Sequence, residues 1–116
     1  MNWDAYRAIL EHFPAYFLVA EHDGQVVGYI HGSVQHQKPV DVIPGHEPYV
    51  EVEDIYVQPA FRSRDMGGRL LERLLDVARQ VGIERFVVST LSKETEKILT
   101  FYCSHGFTPW CIHFFK

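Results

Sequence analysis

The chain has 116 residues, of which 47% are hydrophobic and 14% aromatic. This length suits one domain with one core, and the composition excludes a disordered chain. No apolar run is long enough to span a bilayer and residues 1–4 show no leader pattern, so we expect a cytoplasmic protein with no membrane partner. Neither the two cysteines, Cys103 and Cys111, nor the seven histidines show metal-ligand spacing, so we expect no metal site.

The net charge of −4 is unevenly distributed along the chain. Residues 1–58 contain nine acidic and two basic side chains, whereas residues 59–116 contain six acidic and nine basic ones. The second half would favour a polyanionic ligand and the first half a cationic one, although ordinary surface charge explains the same asymmetry. No lysine-rich stripe with interleaved aromatic residues is present, so nucleic acid is not an expected partner.

The predicted elements begin, in chain order, with a helix. Residues 3–13 place aromatic and aliphatic side chains at helical spacing, and a proline follows them. Strands are predicted over residues 16–21 and 25–34, joined by a hairpin turn at residues 22–24. Residues 35–48 contain three prolines, which predicts a long loop of the kind that often shapes a binding site.

The second half of the chain alternates strands and helices. A strand over residues 49–58 leads through a turn into an amphipathic helix over residues 67–81. A short apolar strand over residues 85–90, a helix that ends at Gly106 and a last strand over residues 108–115 follow. The order α-β-β-β-α-β-α-β predicts an α/β (α+β) fold, in which helices cover a mixed sheet.

The turn over residues 59–66 has the properties of a phosphate-binding site. A helix start leaves backbone N–H groups unpaired and has a partial positive charge. Gly67 and Gly68 allow a ligand to approach the backbone, and Arg62 and Arg64 add full charges. The turn has neither the lysine of a Walker loop nor the GxGxxG pattern, which disfavours a nucleoside triphosphatase and a dinucleotide-dependent dehydrogenase. The turn therefore suits a pyrophosphate.

Three segments share their pattern with one protein family. Residues 54–71 read DIYVQPAFRSRDMGGRLL, residues 101–107 read FYCSHGF, and residues 19–30 contain a VAExDGxVVGY hairpin. Together they resemble the GNAT superfamily of N-acetyltransferases, over residues 16–110 in order. The resemblance implies a GNAT-type, mostly antiparallel twisted sheet in one domain over residues 1–116. It also implies direct transfer of an acetyl group from acetyl-CoA to a primary amine of a small molecule or peptide.

The resemblance also implies which residues bind coenzyme A. Backbone N–H groups at the strand end, from Ile55, Tyr56 and Val57, would polarise the thioester carbonyl. The turn and the helix start would hold the pyrophosphate through Arg62, Ser63, Arg64, Asp65, Met66, Gly67 and Gly68.

Asp65 departs from the family pattern, because it occupies the position of the first glycine of the family's loop. A carboxylate there would repel a pyrophosphate, or it could turn outward and cap the helix through its side chain. Two outcomes therefore stay open: an active acetyltransferase, or an inactive relative that serves as a coenzyme-binding or protein-interaction module.

The beginning of the chain departs from the pattern as well, since the family's usual first strand and helix are not recognised. A shortened family member, a truncated reading frame and an edge covered by a homodimer partner would each explain this.

Two residues are candidates for the chemistry of acetyl transfer. By resemblance, the Tyr102 hydroxyl protonates the departing thiolate, while the competing interpretation is a core aromatic residue at helical spacing. Glu53 would accept a proton through water. It is expected to share one face of its strand with Glu51, while Asp54 is expected on the other face. The competing interpretation is that these carboxylates face solvent. Cys103 is expected to be a buried small residue rather than a nucleophile.

Overall fold

The computed structural model describes residues 4–9, 15–36, 43, 47–90, 94–111 and 113–116. Among them, five strands form one sheet: β1 (Asp4–Ile9), β2 (Ala15–His22), β3 (Gln25–Gln35), β4 (Tyr49–Val57) and β5 (Phe86–Val88). The other elements are a 3-10 helix (Pro59–Arg64), α1 (Met66–Gln80) and α2 (Thr95–Ser104). The strand order is β1-β2-β3-β4-β5, with only the β4–β5 pair parallel. This confirms the predicted mixed, mostly antiparallel sheet with helices.

The hairpin between β2 and β3 closes through a tight turn. Asp23 and Gly24 both have positive φ, of 51° and 79°. Two consecutive residues of this kind form the turn whose twist matches that of the flanking strands, and Asp-Gly is among its preferred sequences. The hairpin predicted at residues 22–24 is therefore confirmed.

The N-terminal helix predicted over residues 3–13 is wrong where the structure describes these residues. Residues 4–9 form β1, which pairs antiparallel with β2, so that Asp4 lies opposite Glu21 and Ile9 lies opposite Tyr16. The spacing of apolar residues was compatible with a helix, but pairing gives both the segment and the edge of β2 their backbone partners. Residues 10–14, and 37–42 and 44–46 of the predicted long loop, lie outside the described residues.

The last strand predicted over residues 108–115 is also wrong for the part that is described. Residues 107–111 and 113–116 contain no strand, and Phe114 and Phe115 are 90% and 88% exposed. A segment of apolar residues forms a strand when it can pair with the edge of a sheet. No described strand pairs with this segment. Within the described residues the order of strands and α-helices is β-β-β-β-α-β-α rather than the predicted α-β-β-β-α-β-α-β.

Helix α1 covers one face of the sheet and provides seven of the 17 buried residues in the core cluster of the described part of the chain. Its buried residues recur at helical spacing and pack against inward-facing strand residues that include Leu18, Ile30, Val50 and Val52. The buried residues of α1 are Met66, Gly68, Leu70, Leu71, Leu74, Leu75, Val77 and Ala78. Gly82, with φ of 87°, ends the helix and donates its N–H to Arg79 O at 3.0 Å. The predicted amphipathic helix and its glycine cap are confirmed.

Glycines in β3 allow α1 and β4 to pack closely. A Cβ at Gly32 would lie 2.9 Å from Cγ1 of Val50 and 3.3 Å from Cδ2 of Leu74. A Cβ at Gly28 would lie 2.8 Å from the carbonyl oxygen of Tyr56. Any larger residue would push β4 or α1 away, so these glycines fix the position of the strand that leads into the turn.

Candidate active site

A bulge divides β4 into two halves. The register with β3 places Val52 opposite Gly32 and Asp54 opposite His31, so Glu53 is an extra residue between the two pairs. A bulge bends its strand, increases the local twist and often lies beside an active site. The direction of β4 therefore changes at Glu53, shortly before the predicted coenzyme site.

The bulge changes which residues of β4 share a face, and it corrects one prediction. Glu51 lies opposite Ser33 and Asp54 lies opposite His31, and these two β3 residues are on one face because they are two positions apart. Ser33 Oγ donates a hydrogen bond of 2.7 Å to Glu53 Oε1. All three carboxylates are therefore on one face, and the prediction that Asp54 lies on the opposite face is wrong because the extra residue shifts the alternation.

This carboxylate face also has a row of aromatic rings. The rings of Phe17 and Tyr29 stack at 5.4 Å between centroids, and those of Tyr29 and Tyr56 lie 6.2 Å apart. The His31 ring lies 6.1 Å from Phe17. Aromatic faces beside carboxylates attract organic cations, so this face suits a positively charged amine.

Beyond the bulge, β4 is paired on one edge only. β5 pairs with residues 50–52 of β4, and no strand in the described part of the chain pairs with residues 53–57 on that edge. The first half of β4 therefore lies inside the sheet, while the second half is open on the side of β5.

The backbone groups that face the open edge follow from the alternation of an antiparallel strand. The N–H of Gln58 donates to Val27 O at 2.8 Å, so Gln58 faces β3. Successive residues face opposite edges, so Tyr56 also faces β3 while Ile55 and Val57 face the open edge. Of the three residues predicted to polarise the thioester, Ile55 and Val57 have their N–H groups on the side where a ligand could reach them.

The two arginines of the turn lie at its surface. Arg62 Nε donates to the carbonyl oxygen of Val57 at 2.9 Å, and its guanidinium lies 5.7 Å from the centre of the Tyr56 ring. The Arg64 guanidinium lies 5.1 Å from the Phe61 ring. Both side chains are exposed, which leaves two full positive charges beside the start of α1.

The start of α1 supplies unpaired backbone donors. Arg69 N–H makes a helical bond of 3.1 Å to Asp65 O, so the N–H groups of Met66, Gly67 and Gly68 precede the helical ladder. The Met66 side chain is fully buried, and therefore only its backbone is available to a ligand. The side chain of Ser63 lies outside the described residues.

Asp65 has a left-handed backbone, with φ of 56° and ψ of 28°, immediately before α1. Glycine adopts this conformation without strain, and aspartate is among the few other residues that tolerate it. The side chain makes no capping hydrogen bond to the helix, so the outward-turned capping arrangement is not found. A Cβ at Gly68 would overlap Oδ1 of Asp65. The carboxylate therefore lies over the helix start, where an anionic ligand would bind.

Helix α2 packs beside the turn and brings Tyr102 with it. A Cβ at Gly67 would lie 3.6 Å from Cε1 of Phe101 and 3.9 Å from Cδ1 of Ile55. Tyr102 is 8% exposed, and its ring is edge-on to those of Phe101 and Phe107. Burial raises the pKa of the Tyr102 phenol above its usual value of 10.0, so the hydroxyl keeps its proton at neutral pH. Tyr102 therefore belongs to the core and is also a protonated acid.

His105, which is outside the predicted site, lies against the same helix start and contacts Glu72. Nε2 of His105 would lie 3.0 Å from a Cβ at Gly68, and its Nδ1 is 2.8 Å from Oε1 of Glu72. His105 is part of the FYCSHGF segment, but Glu72 is 33 positions away in the sequence. Spacing alone gives no signal for this pair.

Cys103 is exposed, which corrects the prediction that it is buried. It follows buried Tyr102 by one position, and one helical step turns a side chain by about 100° away from the core. Among the described residues, no group of three or more His, Cys, Asp or Glu could hold a metal ion. No helix in that part of the chain is long and apolar enough to cross a membrane.

The family comparison covers the bulged strand, the glycine-containing turn and α2. Residues 1–107 match the model of the acetyltransferase (GNAT) family. The chain therefore belongs to the GNAT family of acetyltransferases, as its sequence motifs predicted.

A curated acetyltransferase is similar to this chain in sequence. An "IAA acetyltransferase" of Azospirillum brasilense is 36% identical over 91 residues, which cover 78% of this chain and 53% of the relative. The chain thus spans about half the length of this curated relative.

Two solved structures illustrate the shared fold. An aminoglycoside N-acetyltransferase in complex with CoA has a TM-score of 0.77 at 24% identity, over 93% of this chain and 70% of that chain. Glucosamine-6-phosphate N-acetyltransferase from Arabidopsis thaliana has a TM-score of 0.69 at 19% identity, over 88% of this chain and 65% of that chain. At these identities the similarity shows the fold.

Proposed function

We propose that this protein transfers an acetyl group from acetyl-CoA directly to a primary amine of a small molecule or peptide. The observation that supports this most strongly is the open edge of β4, whose Ile55 lies beside Gly67 at the start of α1. There, unpaired backbone donors on a strand adjoin unpaired donors on a helix. In this proposal residues 1–116 act as one domain in the cytoplasm.

The helix start would bind the diphosphate of acetyl-CoA. The N–H groups of Met66, Gly67 and Gly68 would donate to its oxygens, and Arg62 and Arg64 would add positive charge. The thioester would lie along the open edge of β4. In that position the N–H groups of Ile55 and Val57 would polarise its carbonyl, because they face this edge.

The chemistry needs one proton donor and one proton acceptor. The amine nitrogen attacks the thioester carbonyl carbon, the C–S bond breaks, and the thiolate takes a proton from the Tyr102 hydroxyl. The ammonium would first lose one proton through water to Glu53, which lies at the bulge with its carboxylate exposed. After attack the nitrogen would lose a second proton, which through water would restore the Tyr102 hydroxyl. Burial keeps the pKa of the Tyr102 phenol raised, so the hydroxyl would be protonated and able to donate when the thiolate leaves.

The aromatic and acidic face of β2, β3 and β4 would bind the acceptor. Tyr29 and Tyr56 provide ring faces, while Glu51, Glu53 and Asp54 provide negative charge. A cationic amine would therefore be held close to Glu53, which would remove its proton before attack.

The experiment begins with binding and then measures turnover. Calorimetry with CoA is followed by release of free thiol from acetyl-CoA with a panel of polyamines, amino acids, aminoglycosides and peptides. Arg64→Ala should weaken CoA binding, whereas Arg79→Ala, at the other end of α1, is the matched control. We expect CoA binding and thiol release with at least one amine. No CoA binding by the folded protein would contradict the proposal.

A second candidate function is a coenzyme-binding or protein-interaction module without turnover. Asp65 favours it, because its carboxylate lies over the helix start where the diphosphate would bind. CoA binding without thiol release across the whole panel would support this candidate over the enzyme.

A further inference from the structure

Three polar side chains on the carboxylate face form one chain of hydrogen bonds. Gln35 Nε2 donates to Ser33 Oγ at 3.0 Å, and Ser33 Oγ donates to Glu53 Oε1 at 2.7 Å. Ser33 and Gln35 share a face of β3 because they are two positions apart, whereas Glu53 is the extra residue at the bulge of β4. The chain of hydrogen bonds therefore connects a regular strand to the residue proposed as the proton acceptor.

The donors and acceptors fix the direction of this chain. A serine hydroxyl has one hydrogen, and an ionised carboxylate only accepts hydrogen bonds. The hydrogen of Ser33 must therefore point to Glu53, and its oxygen lone pairs remain for the amide hydrogens of Gln35. The opposite direction would leave no hydrogen between Ser33 and Glu53. Gln35 thus keeps the Ser33 hydroxyl aimed at the carboxylate.

Glu53 has few other constraints on its orientation. Its side chain is exposed, and the extra residue of a bulge has no partner on the neighbouring strand. Within the described part of the chain, Ser33 provides the one hydrogen bond to this carboxylate, and Oε2 receives none. An exposed glutamate without such a bond would sample several rotamers. Ser33 therefore selects one orientation of Glu53 and leaves one oxygen available.

We propose that Ser33 is a positioning residue for the proton acceptor of the reaction. Its hydroxyl holds Oε1 of Glu53, so that Oε2 faces the water that carries the first proton away from the ammonium, and Gln35 holds Ser33 in turn. This inference rests on the proposed function, in which Glu53 accepts that proton. A serine that only stabilised the sheet would affect the free energy of unfolding and not the rate of turnover.

The test is a double-mutant cycle on the rate of thiol release. The proteins are the wild type, Ser33→Ala, Glu53→Gln and the double variant. The assay uses saturating acetyl-CoA with spermidine, lysine, kanamycin or a lysine-containing peptide, whichever the wild type acetylates fastest. We expect Ser33→Ala to lower kcat about fourfold in the wild-type background and less than about 1.5-fold in the Glu53→Gln background. The KM for the amine should stay within about twofold in Ser33→Ala, because the charge of Glu53 remains.

A matched control at the same position is Ser33→Thr. Threonine keeps the hydroxyl and suits a strand, so kcat should stay within about 1.5-fold of the wild type. Gln35→Ala removes only the second bond of the chain and should lower kcat about twofold. Calorimetry with CoA and urea denaturation of each variant separate a change in the coenzyme site or in the fold from a change in turnover.

The outcomes distinguish this inference from the function on which it rests. An equal loss of kcat in both backgrounds, or a loss that threonine does not restore, would overturn the role of Ser33 and leave the proposed function intact. A lower urea midpoint with unchanged kcat in Ser33→Ala would assign the serine to the stability of the sheet. CoA binding without thiol release by the wild type would overturn the proposed function and this inference with it. If Ser33→Ala does not fold, Ser33→Cys, whose thiol is a weak donor, takes its place in the cycle.

Discussion

The two halves of β4 differ in what surrounds them. The first half, before Glu53, is paired with β3 on one edge and β5 on the other, and Val50 and Val52 are buried beneath α1. The second half is paired with β3 alone among the described strands, and Tyr56 is 45% exposed. One strand therefore combines a fully paired segment with a segment whose backbone and side chains remain available.

The first half of β4 therefore contributes mainly to stability, and the second half provides groups for the proposed chemistry. Burial and two-sided pairing in the first half contribute free energy to the fold. The second half leaves donors unpaired, which costs stability but provides the preorganised groups that a reaction needs. Substitutions around the two halves should separate these roles.

The largest expected effect comes from a cavity beneath the first half. Leu74 is fully buried, and its Cδ2 lies 3.3 Å from the place of a Cβ at Gly32. Leu74→Ala should lower the free energy of unfolding by about 2–5 kcal/mol, as measured by urea denaturation. The control, Leu99→Ala, changes a side chain that is 43% exposed and should cost less than about 0.5 kcal/mol. Equal costs would mean that the core is not centred under the first half.

The next effect concerns Tyr102 of α2, the proposed proton donor to the departing thiolate. Tyr102→Phe removes the proton donor and should lower the rate of thiol release about 100-fold without changing the Kd for CoA. Tyr49→Phe, at the buried beginning of the first half, is the matched control and should leave the rate within about twofold. Unchanged turnover in Tyr102→Phe would assign this residue to packing alone.

The raised pKa of Tyr102 gives the same variant a second readout. The unfolded chain loses the phenol proton near pH 10, whereas the folded protein keeps it to higher pH. Stability from this group is therefore fully present below pH 10 and falls as the pH rises above it. Tyr102→Phe should remove that part of the decline in urea midpoint at alkaline pH.

The smallest expected effect comes from the carboxylate at the bulge. Glu53→Gln should lower the rate of thiol release about tenfold, because bulk water partly replaces an exposed base. Glu51→Gln, on the same face in the first half, should stay within about twofold. If the two variants lose activity equally, the face contributes charge for acceptor binding rather than a base at Glu53.

Local signals were sufficient to predict the elements whose structure is decided locally. The hairpin at Asp23-Gly24 and α1 with its cap at Gly82 each depend on a few neighbouring residues. Residues 4–9 form a strand because they pair with β2. Residues 108–115 would form a strand only by pairing with the edge of a sheet, and no described strand pairs with them. The spacing of apolar residues does not show which strands pair, so the predictions at both ends of the chain were wrong for the described residues.

The features of the candidate site also differ in whether they depend on neighbouring residues or on distant segments. The turn, its arginines and its glycines are contiguous in sequence, and they were predicted together. The bulge at Glu53 is set by the register of β3 against β4, and the pairing of His105 with Glu72 joins two helices. These features arise from contacts between distant segments, and the carboxylate face of β4 was misassigned for that reason.

The gap beside the second half of β4 also bears on self-association. An open strand edge usually invites a strand from another molecule, which leads to aggregation. Here the described opening is only a few residues long, with β5 closing one end and the turn over residues 59–64 closing the other. A foreign strand would find too few partners to pair with, whereas a slender ligand needs only one or two donors. The molecule thus keeps hydrogen-bonding capacity for a small ligand in a place too confined to template a fibril.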